Sequence, residues 1–294
     1  MLRKYNELSI FFWRQHLYSE GSVGFYTDDF MFDVMRIKEL PSALYHYTSL
    51  DSLEKILASR TLRFSRLDTV NDLEEARASD VALAASSVFV SCWSGTEVEQ
   101  IPLWSMYGQD FSGVRIRLPS NMFVGRKEPM IFKKGGARLT VETWHSINRK
   151  SPAMSTNSCA IIGPNKIYYS DDPAYRNRPL VYRHAGTAYF YPHDLGMVKG
   201  TDWSYEQEWR FKIAALSFEA QFPDDEYFNN VTLDLKTYPV EAEALFIPLA
   251  PTAINELEVM IGPRADSATR EEVERILGEY APSATLTQSL IKIR

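Results

Sequence analysis

Residues 202–213 read Asp-Trp-Ser-Tyr-Glu-Gln-Glu-Trp-Arg-Phe-Lys-Ile, placing Glu206 and Glu208 two residues apart and Arg210 two further on. On an extended strand, residues i and i+2 share a face. The spacing therefore predicts a row of Glu206, Glu208 and Arg210, with Tyr205, Gln207, Trp209 and Phe211 on the opposite face. Two like charges side by side cost free energy unless a cation, a ligand or a proton resolves them. A carboxylate beneath a sugar ring can stabilise an oxocarbenium-like transition state or hold a hydroxyl, while its neighbour activates the incoming nucleophile. The plainer alternative is a solvated strand edge whose Glu–Arg pair contributes little.

Two further polar clusters carry potential chemistry. His46-Tyr47-Thr48-Ser49 stands where a short strand meets a helix start, and free backbone N–H groups there favour anions and hydroxyl-rich ligands. A histidine can donate to a ribose hydroxyl and a tyrosine can stack on a planar ring; a satisfied structural histidine is the alternative. Ser91-Cys92-Trp93-Ser94 ends an apolar strand, with Ser91 and Trp93 on one face and Cys92 on the other. Its serines could line a pocket floor and order the glutamate row, or simply end a strand. Cys92 has no histidine beside it in sequence, so a thiolate nucleophile is not expected.

These clusters need elements to hold them. Residues 43–47 read as a strand, followed by a helix capped by Ser49 with Leu50, Leu53, Ile56 and Leu57 on its apolar face, and by a returning strand at residues 61–65. A helix is expected over residues 71–76, with strands over 87–93 and 113–118 and a short helix at 103–107. Between residues 126 and 178 the signals weaken: Lys127, Lys133, Lys134, Gly135 and Gly136 indicate loops, residues 142–150 a helix and 165–169 a strand. Residues 187–190 fit a strand or a helix. Strands are expected at 245–249, 254–261 and 285–293, with a helix over 267–278 capped by Ser267 and ended by Gly278. Residues 1–40 are expected to form a separate helical extension, with Leu8, Phe11, Phe12 and Gln15 at helical spacing and a second helix over 28–37. Residues 41–294 are expected to form one α+β domain.

The 294 residues are 45% hydrophobic and 24% charged, an ordinary globular composition. A formal charge of −6 argues against a general nucleic-acid binder, which would carry a basic excess. The two cysteines, Cys92 and Cys159, form no Cys-x-x-Cys pair, so neither a zinc site nor a disulfide framework is expected. Cysteine usage fits a reducing cytoplasm. The first residues lack the apolar stretch of a signal peptide, and the most apolar window, residues 81–90, falls far short of the ~20 residues a membrane helix needs. A cytoplasmic location with no membrane partner is expected.

Several motifs together resemble a bacterial family catalogued as domain of unknown function 2971. They are Leu44-Tyr45-His46-Tyr47-Thr48-Ser49, Asn71-Asp72, Val90-Ser91-Cys92-Trp93-Ser94, Leu103-Trp104-Ser105-Met106-Tyr107, Trp203-Ser204-Tyr205-Glu206-Gln207-Glu208-Trp209-Arg210 and Val259-Met260-Ile261-Gly262-Pro263-Arg264. The likeness runs from Leu44 to the C-terminus and implies no activity. The order of a His strand, a capped helix, a returning strand, a serine strand and a Glu-x-Glu strand is also similar to that of ADP-ribosyltransferases. That resemblance implies split antiparallel β-sheets with surrounding helices around a nicotinamide cleft, and NAD as substrate. His46 would hold the ribose, Ser91 would match the first serine of a Ser-Thr-Ser motif whose other positions here are Cys92 and Trp93, Glu208 would be catalytic and Glu206 would assist the acceptor. Tyr47, Thr48, Trp93, Arg63, Arg210, Trp104 and Tyr107 complete the residues expected around the nucleotide.

The leading functional expectation is thus an NAD-consuming enzyme, transferring ADP-ribose to a macromolecular acceptor or hydrolysing NAD, in bacterial stress or phage defence. The alternatives are a non-catalytic nucleotide- or nucleic-acid-sensing module, in which a Glu208–Arg210 ion pair closes the site, and a metal-independent phosphate-directed enzyme such as a nuclease using His46, Arg63 and Arg210.

Overall fold

A computed structural model of the protein describes residues 35, 37–123, 130–132, 136–138, 161–177, 179–184, 187–190, 195–215, 240 and 242–293. The first expected N-terminal helix and that over 142–150 lie outside them, as does the helix over 28–37 but for residues 35 and 37, which are not helical. By its contacts the chain divides into two units, one of residues 1–40 with 130–138 and one of residues 41–129 with 139–294. In the smaller unit, Met130–Phe132 and Gly136–Arg138 form an antiparallel hairpin where loop residues were expected.

The larger unit opens with strand β1 (Ala43–Thr48), helix α1 (Leu50–Ser59) and strand β2 (Thr61–Arg66). Ser49 caps α1 as its sequence position predicts, its hydroxyl accepting from the Ser52 N–H, and Leu53 and Leu57 bury the apolar face. Strand β3 (Val88–Ser94), helix α2 (Ile101–Met106) and strand β4 (Val114–Pro119) follow. Then come β5 (Ile161–Lys166), β6 (Tyr168–Tyr169), β7 (Val198–Lys199), a 3₁₀ helix at Thr201–Glu206 and β8 (Glu208–Ala214). The chain closes with β9 (Ala244–Pro248), α3 (Pro251–Asn255), β10 (Glu258–Ile261), α4 (Ser267–Tyr280) and β11 (Thr285–Gln288). Residues 187–190 are a strand, hairpinned with Val181–His184.

Among the described residues nine strands join in one large, mostly antiparallel sheet, in the order β9-β2-β3-β1-β4-β10-β11, with β8 on β3 and β5 on β8. The mixed α and β character expected from the sequence is present in this form. β8 pairs with all seven residues of β3, from Glu208 opposite Ser94 to Ala214 opposite Val88. The other edge of β3 is shared: Phe89 and Val90 pair with β2, whereas Ser94 pairs with Tyr45 of β1. The sheet therefore forks at residues 91–93. Phe89, Phe211 and Ile213 are buried on one face, and Phe123 bridges the rings of Phe211 and Phe64 at 4.9 and 5.6 Å. Among the described residues no helix is long and apolar enough to cross a membrane.

Three local expectations are corrected. Residues 71–76 are a turn and not a helix, because the Asp72 carboxylate accepts from the Glu74 N–H at 2.9 Å and offers the backbone an alternative bond. α4 is capped by Asp266 and not Ser267, and runs through Gly278 to Tyr280. Residues 254–261 divide into the end of α3 and strand β10, since Pro251 starts a helical turn. The β10 end is closely packed: the Gly262 N–H donates to Gly113 O at 2.9 Å, and a Cβ on Gly262 would lie 2.2 Å from Phe111 O. Gly262→Ala is expected to destabilise the fold by about 1–3 kcal/mol, as overpacking against backbone does, measured by chemical unfolding.

Candidate functional site

Alternation along β8 sends Trp209, Phe211 and Ile213 to one face of the sheet and Glu208, Arg210 and Lys212 to the other. Directly opposite the charged row stand Ser94, Cys92 and Val90 of β3. An Asp-or-Glu row on a solvated edge would be ordinary; here Glu208, Arg210 and Lys212 are all buried. The segment after β2 covers this face with Leu67, Val81, Ala84 and Ala85, packed with Val88, Val90 and Leu195. Buried charges require partners, and the geometry supplies them.

The Arg210 guanidinium grips Glu208 with two N–H groups, Nε to Oε1 and Nη2 to Oε2 at 2.9 Å, and its Nη1 donates to Gly196 O at 2.9 Å. Glu206 does not lie on the strand. It ends the 3₁₀ helix, and Gln207, with φ 44°, turns the chain into β8. The expected Glu206-Glu208-Arg210 strand row is corrected accordingly, yet the two carboxylates still converge, because Lys199 Nζ reaches Glu206 Oε2 at 2.6 Å and Glu208 Oε2 at 3.3 Å. Lys199 is the cation that the spacing of two acids called for. The Tyr107 hydroxyl donates to Glu206 Oε1 at 2.9 Å and accepts from the exposed Asn71 amide at 3.1 Å. Tyr107 thus links the buried acid to the surface. Trp203 and Tyr205, half-buried and 6.3 Å apart, flank this point, with Lys199 Nζ 4.5 Å above the Trp203 ring. The Glu208 N–H donates to the Tyr169 hydroxyl at 2.9 Å.

These contacts drive the two acids apart. Burial, and then the charge of Glu208, push Glu206 above the usual carboxylate range, against Lys199 and Tyr107. Burial pushes Glu208 the same way, but Arg210 and then Lys199 outweigh it and hold it at about 2. Burial would lower Lys199, but the surrounding glutamates, Glu208 foremost, raise it. Burial and then Glu206 raise Tyr107, so its hydroxyl stays a donor. Burial and then Glu208 raise the Cys92 thiol well above its ordinary value, and it hydrogen-bonds the Glu208 carboxylate as a neutral group. Divergent protonation of neighbouring carboxylates is the arrangement that general acid–base chemistry uses.

Other sequence-predicted residues are not brought to this site. Ser91 and Trp93 alternate with Cys92 and face the opposite side of β3 from Glu208. Instead of ordering the glutamates, Ser91 accepts from Trp93 Nε1 at 2.9 Å. Tyr45 lies opposite Ser94, so His46 also faces away from Glu208, its ring 5.2 Å from that of Trp93. His46 Nδ1 lies 3.0 Å from Cys92 O, and because a carbonyl only accepts, that nitrogen carries the proton. Burial lowers the pKa of His46. It serves the backbone of β3 at the fork. Tyr47 and Trp104 pack edge to face at 4.9 Å in an apolar cluster with Leu103; Tyr47 accepts from the Gln100 N–H, and Trp104 donates to Glu99. Thr48 is buried at the end of β1, and Arg63 is exposed on β2. Of the residues expected, Glu206, Glu208, Arg210 and Tyr107 meet.

Residues 103–211 match a family model described as Protein of unknown function (DUF2971). The DUF2971 match meets the family resemblance over that stretch, and it includes Tyr107, Tyr169, Lys199, Glu206, Glu208 and Arg210. The motifs at residues 44–49, 71–72, 90–94 and 259–264 fall outside it. No curated protein and no solved structure matches the chain.

Sequence reading missed Lys199, Tyr169 and Glu75, whose side chain contacts Arg210. A lysine between Val198 and Gly200 in a short apolar stretch was the available signal for the first. Among the described residues no group of three or more His, Cys, Asp or Glu side chains is placed to hold a metal ion. Lys199→Met, which leaves two buried carboxylates facing each other, is expected to cost about 3–5 kcal/mol, with part of that loss recovered in Lys199→Met/Glu206→Gln; a double-mutant cycle in urea measures the coupling. Glu208 is more acidic folded than unfolded, so its contribution is present above about pH 4.5 and is lost as pH falls toward 2. Its shift from 4.5 to about 2 corresponds to about 3 kcal/mol. Acid unfolding of Glu208→Gln should accordingly be less steep over that window than that of the parent.

Proposed function

We propose that the chain is an NAD-consuming enzyme of ADP-ribosyltransferase-like type, carrying out glycosyl transfer from NAD or its hydrolysis, with a cytoplasmic role in bacterial stress or phage defence. The observation that carries this reading is the Glu206–Lys199–Glu208 bridge beneath the half-buried Trp203 and Tyr205. A fixed anion, a second carboxylate that holds its proton more readily, and half-buried aromatic rings beside them suit a planar base on a sugar that develops positive charge. The forked sheet supports the split-sheet arrangement that the transferase resemblance implies.

The roles differ from those the resemblance assigned. Both oxygens of Glu208 are held by Arg210 and Lys199, so Glu208 is the fixed charge under the site. Glu206, joined through Tyr107 to the surface, is the carboxylate that meets the ribose and the acceptor. His46, Ser91 and Trp93 have no part in it, which leaves Tyr107, Asn71 and the aromatic pair to orient the nucleotide.

The Glu208–Arg210 pair favours a second reading, a non-catalytic nucleotide-sensing module, in which the same residues bind and no acid is released for chemistry. Isothermal titration of NAD, followed by nicotinamide release in the same sample, separates the two. For the enzyme, Glu206→Gln should bind NAD within a few-fold of the parent and release nicotinamide at least 100-fold more slowly. Binding with no release by the parent selects the sensor, and release unchanged in Glu206→Gln removes Glu206 from the mechanism.

A further inference from the structure

The turn at residues 73–76 projects Glu75 onto the charged face of the sheet, where its side chain is 0% exposed. Glu75 Oε2 lies 2.7 Å from Arg210 Nη1. That nitrogen also donates to Gly196 O at 2.9 Å, so Glu75 shares it with a backbone carbonyl. Among the described residues neither oxygen of Glu75 has a hydrogen-bonding contact other than this one with Arg210. A buried carboxylate left in this way is costly as an anion. Glu75 also lines a shallow depression, with room for about one water, that opens to solvent beside Arg77, Arg176, Tyr175 and Gly196 and brings solvent near the carboxylate. The Nε of Arg176, another lining residue, is buried and without a hydrogen-bond partner among the described residues.

We infer that Glu75 is a positioning residue for the paired acids: on taking a proton from solvent it leaves Glu208 as the sole carboxylate partner of Arg210 and removes one negative charge from the cluster behind Glu206. The inference deepens the reading proposed above and, for its catalytic consequence, rests on it. Every charged group facing Glu75 bears on the step. Arg210 and Glu208 approach from β8, Lys199 from β7 and neutral Cys92 from β3. Arg176 stands on the helix Pro173–Arg176 and Arg77 on the segment of Glu75 itself. With all ionised, Glu75, Glu206 and Glu208 exceed Lys199 and Arg210 by one negative charge; with Glu75 protonated the five balance. Burial raises Glu75 to about 6 against the pull of Arg210 and Lys199, which places the change in a physiological range. An anionic dinucleotide meets a less repulsive cluster once Glu75 is neutral.

The test follows the ¹⁵Nε resonance of Arg210 in the full chain, assigned by its loss in Arg210→Lys, from pH 5 to pH 7.5. The expected result is a titration with a midpoint near pH 6 that is absent in Glu75→Gln and displaced in Glu75→Asp, the latter covering the case in which Glu75→Gln does not fold. A pH-insensitive resonance, or the same titration in Glu75→Gln, overturns the inference. Nicotinamide release should show the same midpoint in the parent and lose it in Glu75→Gln. Titration of Arg210 with no release at any pH would defeat the enzyme reading and leave the Glu75–Arg210 linkage standing.

Discussion

The seven-residue pairing of β3 with β8 is the constraint on which the rest of the larger unit depends. One face of the pair is aromatic and aliphatic and needs only to be covered. The other carries Glu208, Arg210 and Lys212 out of water, and has to be neutralised by whatever is folded over it. That requirement explains why residues 67–87 and 195–206 converge on β8: the first brings Glu75, the second Gly196 O, Lys199 and Glu206. Apolar burial by Leu67, Val81 and Leu195 and ion pairing are achieved by the same two segments.

Such a cluster is a poor device for stability alone. Buried ion pairs commonly do no better than well-packed apolar residues, because desolvation opposes the Coulomb attraction. The arrangement is also unequal in a way that a purely structural network does not require. Arg210 holds Glu208 with a bidentate fork, whereas Glu206 is approached by a lysine and a tyrosine and stays closer to its proton. Chemistry is better served by that inequality than stability is, and this is the physical content of assigning the paired acids to a functional site.

Much of the frame was legible from local rules. The Ser49 cap with Leu53 and Leu57 fixed α1, and the alternation at residues 113–118 gave β4 to within a residue. The two acids of the Glu-x-Glu spacing do converge, although not on one strand, since Glu206 arrives from a 3₁₀ turn and a left-handed Gln207. What could not be read was which face each cluster takes. His46, Ser91 and Trp93 were grouped with Glu208 by motif order, whereas strand parity turns them away, and parity depends on a register that only the paired partner fixes. Lys199 and Glu75 were invisible for a related reason. A single charged residue in an apolar or turn segment says that a partner exists and not where it is.

The fork at β3 has a mechanical meaning. Every ladder of backbone hydrogen bonds leading from edge strand β9 to edge strand β11 passes through β3, and the two branches leave it at different residues, Phe89 with Val90 and Ser94. The sheet is therefore two panels on a common spine, free to twist by different amounts, with His46 fastened across the seam at Cys92 O. Amides of the β2–β9 panel, attached to the spine by two residue pairs, belong to a smaller cooperative unit than the spine itself, whose opening requires both panels and β8 to part.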